Sequence, residues 1–164
     1  MMRRLLCIIV VICVVPAHSW GRDAHEMIAQ MASHFLTDTA KQQVATHLHG
    51  ANMSSVANWA DEVHHLPEYS WSEPVHFTNV QDASTACLGK DGGYDKCTFD
   101  YERDCVDSAG TKDMCNAGAL ANFTSQLMKA GGKVTNATTD ATKFVIHLVA
   151  DIHQPLHVGM ATDR

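Results

Sequence analysis

Three observations in this sequence predict a mostly α-helical fold with a disulfide-bearing loop region. Apolar residues recur at helical spacing in several segments between Trp20 and Ile152. Those segments are separated by capping residues, Gly and Pro at the places where helices start and stop. From about residue 81 to 115 the period disappears, and this stretch holds Cys87, Cys97, Cys105 and Cys115 among glycines and charges. An even number of cysteines without a helical pattern reads as a stapled loop.

In chain order, Trp20 to Leu36 is the first helical segment, with Ile28, Met31, Ala32 and Phe35 as its stripe and His25 just ahead of it. Thr37 and Asp38 can cap a second helix reaching about Leu48, ended by Gly50. Ser54 or Ser55 caps a short third helix, Val56 to about Leu66, which carries Trp59, Asp61, His64 and His65. Pro67 and Pro74 bracket a loop, and Val75 to Thr78 reads equally as a brief extended piece or a helix start. Ala117 to Ala130 is helical and stops at Gly131-Gly132. Thr138 or Thr139 caps the last and most apolar helix.

That last helix organises the chain. Lys143 to Val158 reads KFVIHLVADIHQPLHV. Phe144, Val145, Ile146, Leu148, Val149, Ala150 and Ile152 leave no polar face, so the helix should be buried on every side. Yet His147 and Asp151 sit within it at i and i+4, on one face, where they can aim at one point. Pro155 forces the chain out of the helix, and His157 follows. A buried carboxylate is costly unless it is paired or bound to a metal. Imidazole nitrogens and carboxylate oxygens are zinc ligands. His153 points off the His147/Asp151 face and is read as a supporting or structural residue.

The 164 residues suffice for one domain with a real core. Met1 to Ser19 reads as a secretory leader: Arg3 and Arg4, then an apolar run from Leu5 to Val15, then Ala17-His18-Ser19 with small residues where a signal peptidase cuts. The run is too short to span a bilayer as a mature helix. Cleavage makes Trp20 the amino terminus and leaves residues 20–164 as the domain, without a membrane span. The formal charge of −6 becomes −8 once Arg3 and Arg4 are removed. So acidic a chain does not hold nucleic acid on a general basic surface. A polyanion needs a local positive site, which bound metal ions can supply. Cys7 and Cys13 leave with the leader, and the four remaining cysteines, in an oxidising compartment, are expected to form disulfides in one of three pairings. Asn52-Met-Ser, Asn122-Phe-Thr and Asn136-Ala-Thr are glycosylation acceptors.

WGRDAH at the predicted amino terminus, then NWADEV, WSEPVHF and HLVADIHQPLHVG, resemble in content and order the zinc-dependent single-strand-specific nucleases and 3′-nucleotidases. That family shares its helical fold with the zinc phospholipases C. The resemblance implies a secreted endonuclease that cuts single-stranded DNA and RNA to 5′-nucleotides and also acts on 3′-nucleotides, without a stable protein partner. It implies that Asp61, His76, His147 and Asp151 bind one zinc ion (Zn2+). A second zinc is implied at Trp20, through its free amine and carbonyl oxygen, with His25 and a bridging Asp151; His157 belongs to a third. Elementary chemistry agrees with the first two. A free amine and its own carbonyl close a five-membered chelate, and a carboxylate has two oxygens where an imidazole nitrogen binds one metal. The aromatic Phe77 falls where the family stacks a nucleobase, and Asn79 where a side chain can read a base edge; the alternative for Phe77 is a core aromatic.

The sequence departs from the family in two places. The family completes its third zinc with a further His and Asp beyond a GGN-type segment, and this sequence reaches Asp163-Arg164 about where that segment begins. It is therefore expected to be an N-terminal fragment of a longer domain, secreted, or cell-surface if the remainder carries an anchor. Fungal members also have an Arg three residues after the matched Asp, where it stabilises the transition state. Here that residue is His64, which either serves when protonated or is a surface histidine. Two other readings stand beside the nuclease: a zinc phospholipase C, and an inert truncated metal-binding fragment.

Overall fold

The computed structural model describes residues 20–80 and 98–159. The predicted leader, Cys87, Cys97 and the last residues, Asp163 and Arg164, lie outside the described residues. Among the described residues seven α-helices run in order: α1 (Arg22–Phe35), α2 (Asp38–His47), α3 (Met53–Val56), α4 (Trp59–Val63), α5 (Tyr101–Asp104), α6 (Asn116–Ala130) and α7 (Asn136–Asp151). No β-strand occurs among the described residues, only an antiparallel bridge between Val106 and Lys112. The fold is mostly α, as expected.

Thr37 caps α2 through its hydroxyl oxygen, which accepts from the Ala40 amide at 3.2 Å. The chain then reverses through His49 and Gly50, both with positive φ (53° and 86°). The next helix starts earlier than the sequence pattern indicates and is broken in two. Asn52, not Ser54 or Ser55, caps α3, its side-chain oxygen accepting from the Ser55 amide at 2.7 Å. The break at Ala57-Asn58 starts α4, which carries Asp61. Val75 to Thr78 is both of the alternatives: a 3-10 turn over Pro74–His76, then extended backbone. The Thr78 amide donates to the His157 carbonyl at 2.7 Å and the Val80 amide to the Gly159 carbonyl at 3.0 Å. This pairing draws the segment after α7 alongside the segment that carries His76.

Cys105 and Cys115 form a disulfide across the loop between α5 and α6. Gly118 lies in the first turn of α6 against that loop, and a Cβ there would meet the Asp113 carbonyl oxygen at 2.5 Å and the Cys105 sulfur at 3.0 Å. α6 ends at Gly131, in the left-handed region at φ 57°. α7 is capped by Thr135 rather than Thr138 or Thr139. Thr138 closes the reciprocal capping box, and the Thr139 hydroxyl instead donates to the His47 carbonyl at 2.9 Å.

The core lies between α6 and α7 and the turn ahead of His76: Ala60, Val75, Ala119, Phe123, Ala141, Phe144 and Leu148. Phe123 and Phe144 stack at 4.8 Å between ring centroids. Two expectations about faces fail. The inward side of α1 is His25, Ile28, Ala29 and Ala32, while Met31 and Phe35 are exposed. The stripe is rotated because a histidine takes the most buried position. Nor is α7 buried on every side: Val145 and Ile146 are half-buried and Val149 is exposed.

Candidate metal centre

Four separate segments converge on one carboxylate. Asp151, at the end of α7, is fully buried. Its oxygens lie 2.9 Å from His76 Nδ1, 3.1 Å from His147 Nε2, 3.2 Å from His157 Nδ1 and 3.4 Å from His25 Nε2. Asp61, on α4, adds a second carboxylate. It lies 3.3 Å from His147 Nε2, 3.7 Å from His76 Nδ1 and 4.0 Å from His25 Nε2. All four histidines are buried, whereas Asp61 is partly open to solvent.

Local structure fixes each ring. His147 Nδ1 donates to the Ala57 carbonyl at 2.6 Å, where α3 gives way to α4, and this turns Nε2 towards the carboxylates. His25 stacks flat on His147 with ring centroids 3.9 Å apart. His157 Nδ1 donates to the His76 carbonyl at 2.8 Å, so the 3-10 turn after Pro155 and the turn after Pro74 hold one another. The Asn116 side-chain amide donates to the Leu148 carbonyl at 3.0 Å and steadies the turn of α7 just ahead of Asp151. Arg22 and Glu62 pair across α1 and α4 and bring His25 towards Asp61.

The charges are unusual. Burial opposes ionisation of both Asp151 and Asp61, but the hydrogen bond and charge of His147, with the charge of His76, outweigh it and hold both carboxyls below the usual carboxylate range. Burial likewise disfavours imidazolium at His147, yet Asp151 and Asp61 prevail and raise it to about 10. His25 goes the other way. Burial, reinforced by His147, lowers it to about 4 against the pull of the two carboxylates, so it is neutral at pH 7.

A cation fits these residues. His25, Asp61 and His147 can bring ligand atoms within 4.8 Å of one another, and so can His76, His147 and Asp151. The two sets share His147, and Asp151 touches the histidines of both. Asp151 Oδ1 and His25 Nδ1 are buried and take no hydrogen bond; Oδ1 lies between two imidazole nitrogens without accepting from either. A buried anionic oxygen that accepts no hydrogen bond, set among imidazole rings and a second carboxylate, is an arrangement suited to a divalent ion.

The remaining predicted residues surround this cluster. A cavity of about 220 Å³ opens on it and is lined by Trp20, Asp61, His64, Glu73, His76, Phe77 and His157. Trp20 packs edge-on to His25, with centroids 6.5 Å apart. His64 is not a detached surface residue: its ring lies 6.0 Å from that of His76. Phe77 lies against the His157 ring at 4.4 Å and borders a second cavity of about 610 Å³, which Asn79 also lines. Asn79 is buried there and stands apart from the metal cluster. His153 is exposed just past the end of α7, and its Nδ1 bonds to the Val149 carbonyl of that helix. Sequence reasoning passed over Glu73, which lines both cavities. No spacing rule singles it out, because it reaches the site through the turn at Pro74.

The chain has relatives among known proteins. Residues 20–164 match the S1/P1 nuclease family model. Endonuclease 2 of Arabidopsis thaliana is 38% identical over 154 residues, which is 90% of this chain and 48% of the relative. Nuclease S1 of Aspergillus oryzae is 33% identical over 145 residues, 85% of this chain and 44% of the relative. Nuclease P1 of Penicillium citrinum is 29% identical over 141 residues, 84% of this chain and 47% of the relative. The chain thus spans about half the length of these relatives. With the family model matched from Trp20 to Arg164 and the His/Asp cluster assembled within that span, the chain belongs to the S1/P1 nuclease family.

Proposed function

We propose that this chain is the metal-bearing part of a secreted zinc-dependent phosphodiesterase that hydrolyses single-stranded DNA and RNA and also 3′-nucleotides. The observation that carries the reading is Asp151, fully buried with four histidine nitrogens within 3.4 Å of its oxygens. In this reading Asp61, His76, His147 and Asp151 hold one zinc. Asp151, His25 and the terminal amine and carbonyl of Trp20 hold a second, and His157 belongs to a third. When bound, zinc supplies the positive charge that stabilises negative charge growing on phosphate oxygens and lowers the barrier to attack by water.

The chain's own residues do the rest. Asp61 and Asp151 hold the site anionic, so that cations are drawn into an acidic protein. The Ala57 carbonyl keeps a proton on His147 Nδ1 and leaves Nε2 for the metal. In this reading His64, on the wall of the cavity, donates a hydrogen bond to a phosphate oxygen. Phe77, between the two cavities, offers a face for one nucleobase. Stacking contributes on the order of 1–3 kcal/mol and needs a base free of a duplex. Asn79 lines the cavity beside it and is the side chain that reads a base edge in this reading. The Cys105–Cys115 disulfide and the exposed Asn52, Asn122 and Asn136 agree with passage through the secretory route.

The test joins this chain to the part of Endonuclease 2 that it does not match, and measures zinc content with hydrolysis of polyadenylate, 3′-AMP and phosphatidylcholine. The expected result is zinc-dependent cleavage of the first two, lost with chelator and restored by zinc. Hydrolysis of phosphatidylcholine instead points to a phospholipase, and a chain that retains no zinc overturns the reading.

A further inference from the structure

The cavity beside the metal cluster does not stand alone. Glu73 and Phe77 line both it and the cavity of about 610 Å³. Trp71 and Met114 in turn line both that cavity and a third of about 510 Å³. The three therefore run on from one another, with Phe77 as a first aromatic ridge and Trp71 as a second. Trp71 is 44% exposed, although tryptophan is highly buried on average.

Both walls of the middle cavity are held in place. One wall is the pair of 3-10 turns Ser70–Ser72 and Pro74–His76. There Trp71 Nε1 donates to the Glu68 carbonyl at 3.1 Å, and the ring backs onto Phe144 at 5.5 Å and Phe123 at 6.3 Å between centroids. The other wall is the chain from Asp104 to Cys115, closed by the Cys105–Cys115 disulfide. Asp107 braces it, its carboxylate accepting from the amides of Ala109 and Thr111 at 2.9 and 2.8 Å. A ring held from behind and open towards a cavity can stack with little further loss of side-chain freedom.

The charges decide which part of a strand can enter. Glu73 and Asp107 line the middle cavity, and the third carboxylate there, Asp104, is paired with Arg103 at 2.7 Å. Among the described residues Lys112, in the third cavity, is the one Lys or Arg on these walls, and its ammonium already bonds to Glu102 at 2.9 Å. Such walls repel phosphates, which stay at the mouth. Bases are uncharged, and adenine, cytosine and guanine bring amino N–H donors that carboxylate oxygens accept. The grip is therefore stacking rather than charge.

We infer that Trp71 is a second base-stacking subsite: a single strand with one base on Phe77 lays a neighbouring base on Trp71 across the middle cavity. The inference rests on the nuclease reading above and adds to it a preference for polymer. A 3′-nucleotide has one base and cannot occupy both rings.

The experiment uses the joined protein described above, with zinc content recorded, and compares polyadenylate with 3′-AMP. Trp71→Ala should raise KM for polyadenylate about tenfold, the loss of one stacked base, while kcat and zinc content stay and KM for 3′-AMP moves by less than about twofold. Trp71→Phe keeps an aromatic face and should recover most of that loss. Trp71→Leu keeps apolar bulk against Phe123 and Phe144 but offers no ring, and should not; this pair separates stacking from packing. Because the platform carries no charge, KM for polyadenylate should depend on salt equally with and without it. The inference is overturned by an unchanged polyadenylate KM in Trp71→Ala, by recovery in Trp71→Leu as full as in Trp71→Phe, by equal losses on the two substrates, or by an unsubstituted protein that hydrolyses 3′-AMP alone. Hydrolysis of both substrates with Trp71 silent sinks this inference and leaves the nuclease reading standing. An unsubstituted protein that hydrolyses neither sinks both.

Discussion

Replacing Asp151 by Asn separates the two duties assigned to this residue. In metal-free protein its carboxylate is the main counter-charge for a buried imidazolium at His147. Removing one partner of a buried ion pair costs about 3–5 kcal/mol. Asparagine keeps the shape and one acceptor oxygen, which places the cost near the lower end, about 3 kcal/mol. Domains of this size are stable by only about 5–15 kcal/mol. At ~2–4 °C per kcal/mol, Tm in chelator should fall by roughly 6–12 °C. Zinc at a hundred times its Kd should stabilise the wild-type chain by about 2.7 kcal/mol per site. The variant should lose most of that gain if, as proposed, one residue serves both neighbouring metals. Zinc measured by mass spectrometry should therefore fall further in Asp151→Asn than in His25→Ala, which removes one ligand of one metal. Equal losses in the two variants would refute bridging. A variant with wild-type zinc and an unchanged Tm would refute the whole assignment of Asp151.

Three further outcomes follow from particular groups. In chelator, stability should peak near pH 6.5. On the acid side His25, whose folded value is lowered to about 4, resists the proton that the unfolded chain accepts; on the alkaline side His147, raised to about 10, loses the proton that holds it to the carboxylates. Melting curves at several pH values check this, and a steady rise in Tm from pH 5 to pH 9 contradicts it. Gly118→Ala should destabilise by about 1–3 kcal/mol, because the new Cβ meets backbone at Asp113 rather than a movable side chain; chemical denaturation reads it, and an unchanged midpoint shows that the loop yields freely. In the joined protein described above, one extra Gly before Trp20 should reduce hydrolysis of 3′-AMP by about two orders of magnitude, and equal rates with and without it remove Trp20 from the site.

The helices were legible in the sequence wherever a local rule decides them. Thr37 and Gly50 bound α2 because capping and positive φ act over a few residues. The site was legible for a different reason. Asp61, His76, His147, Asp151 and His157 carry a family pattern, and the helical period alone puts His147 and Asp151 on one face. What the sequence left open depends on tertiary competition. Thr135, Thr138 and Thr139 are equally good caps by residue type, and the choice falls on Thr135 because the Thr139 hydroxyl is taken by the His47 carbonyl, a residue far away in the chain. The stripe on α1 was misplaced because a hydrophobic count cannot see that His25, a polar residue, takes the most buried position against His147. The same blindness works in reverse on α7. Its apolar run predicts burial on all sides, yet Val145, Ile146 and Val149 border an open cleft. Apolar periodicity reports which surfaces must leave water and is silent about what covers them.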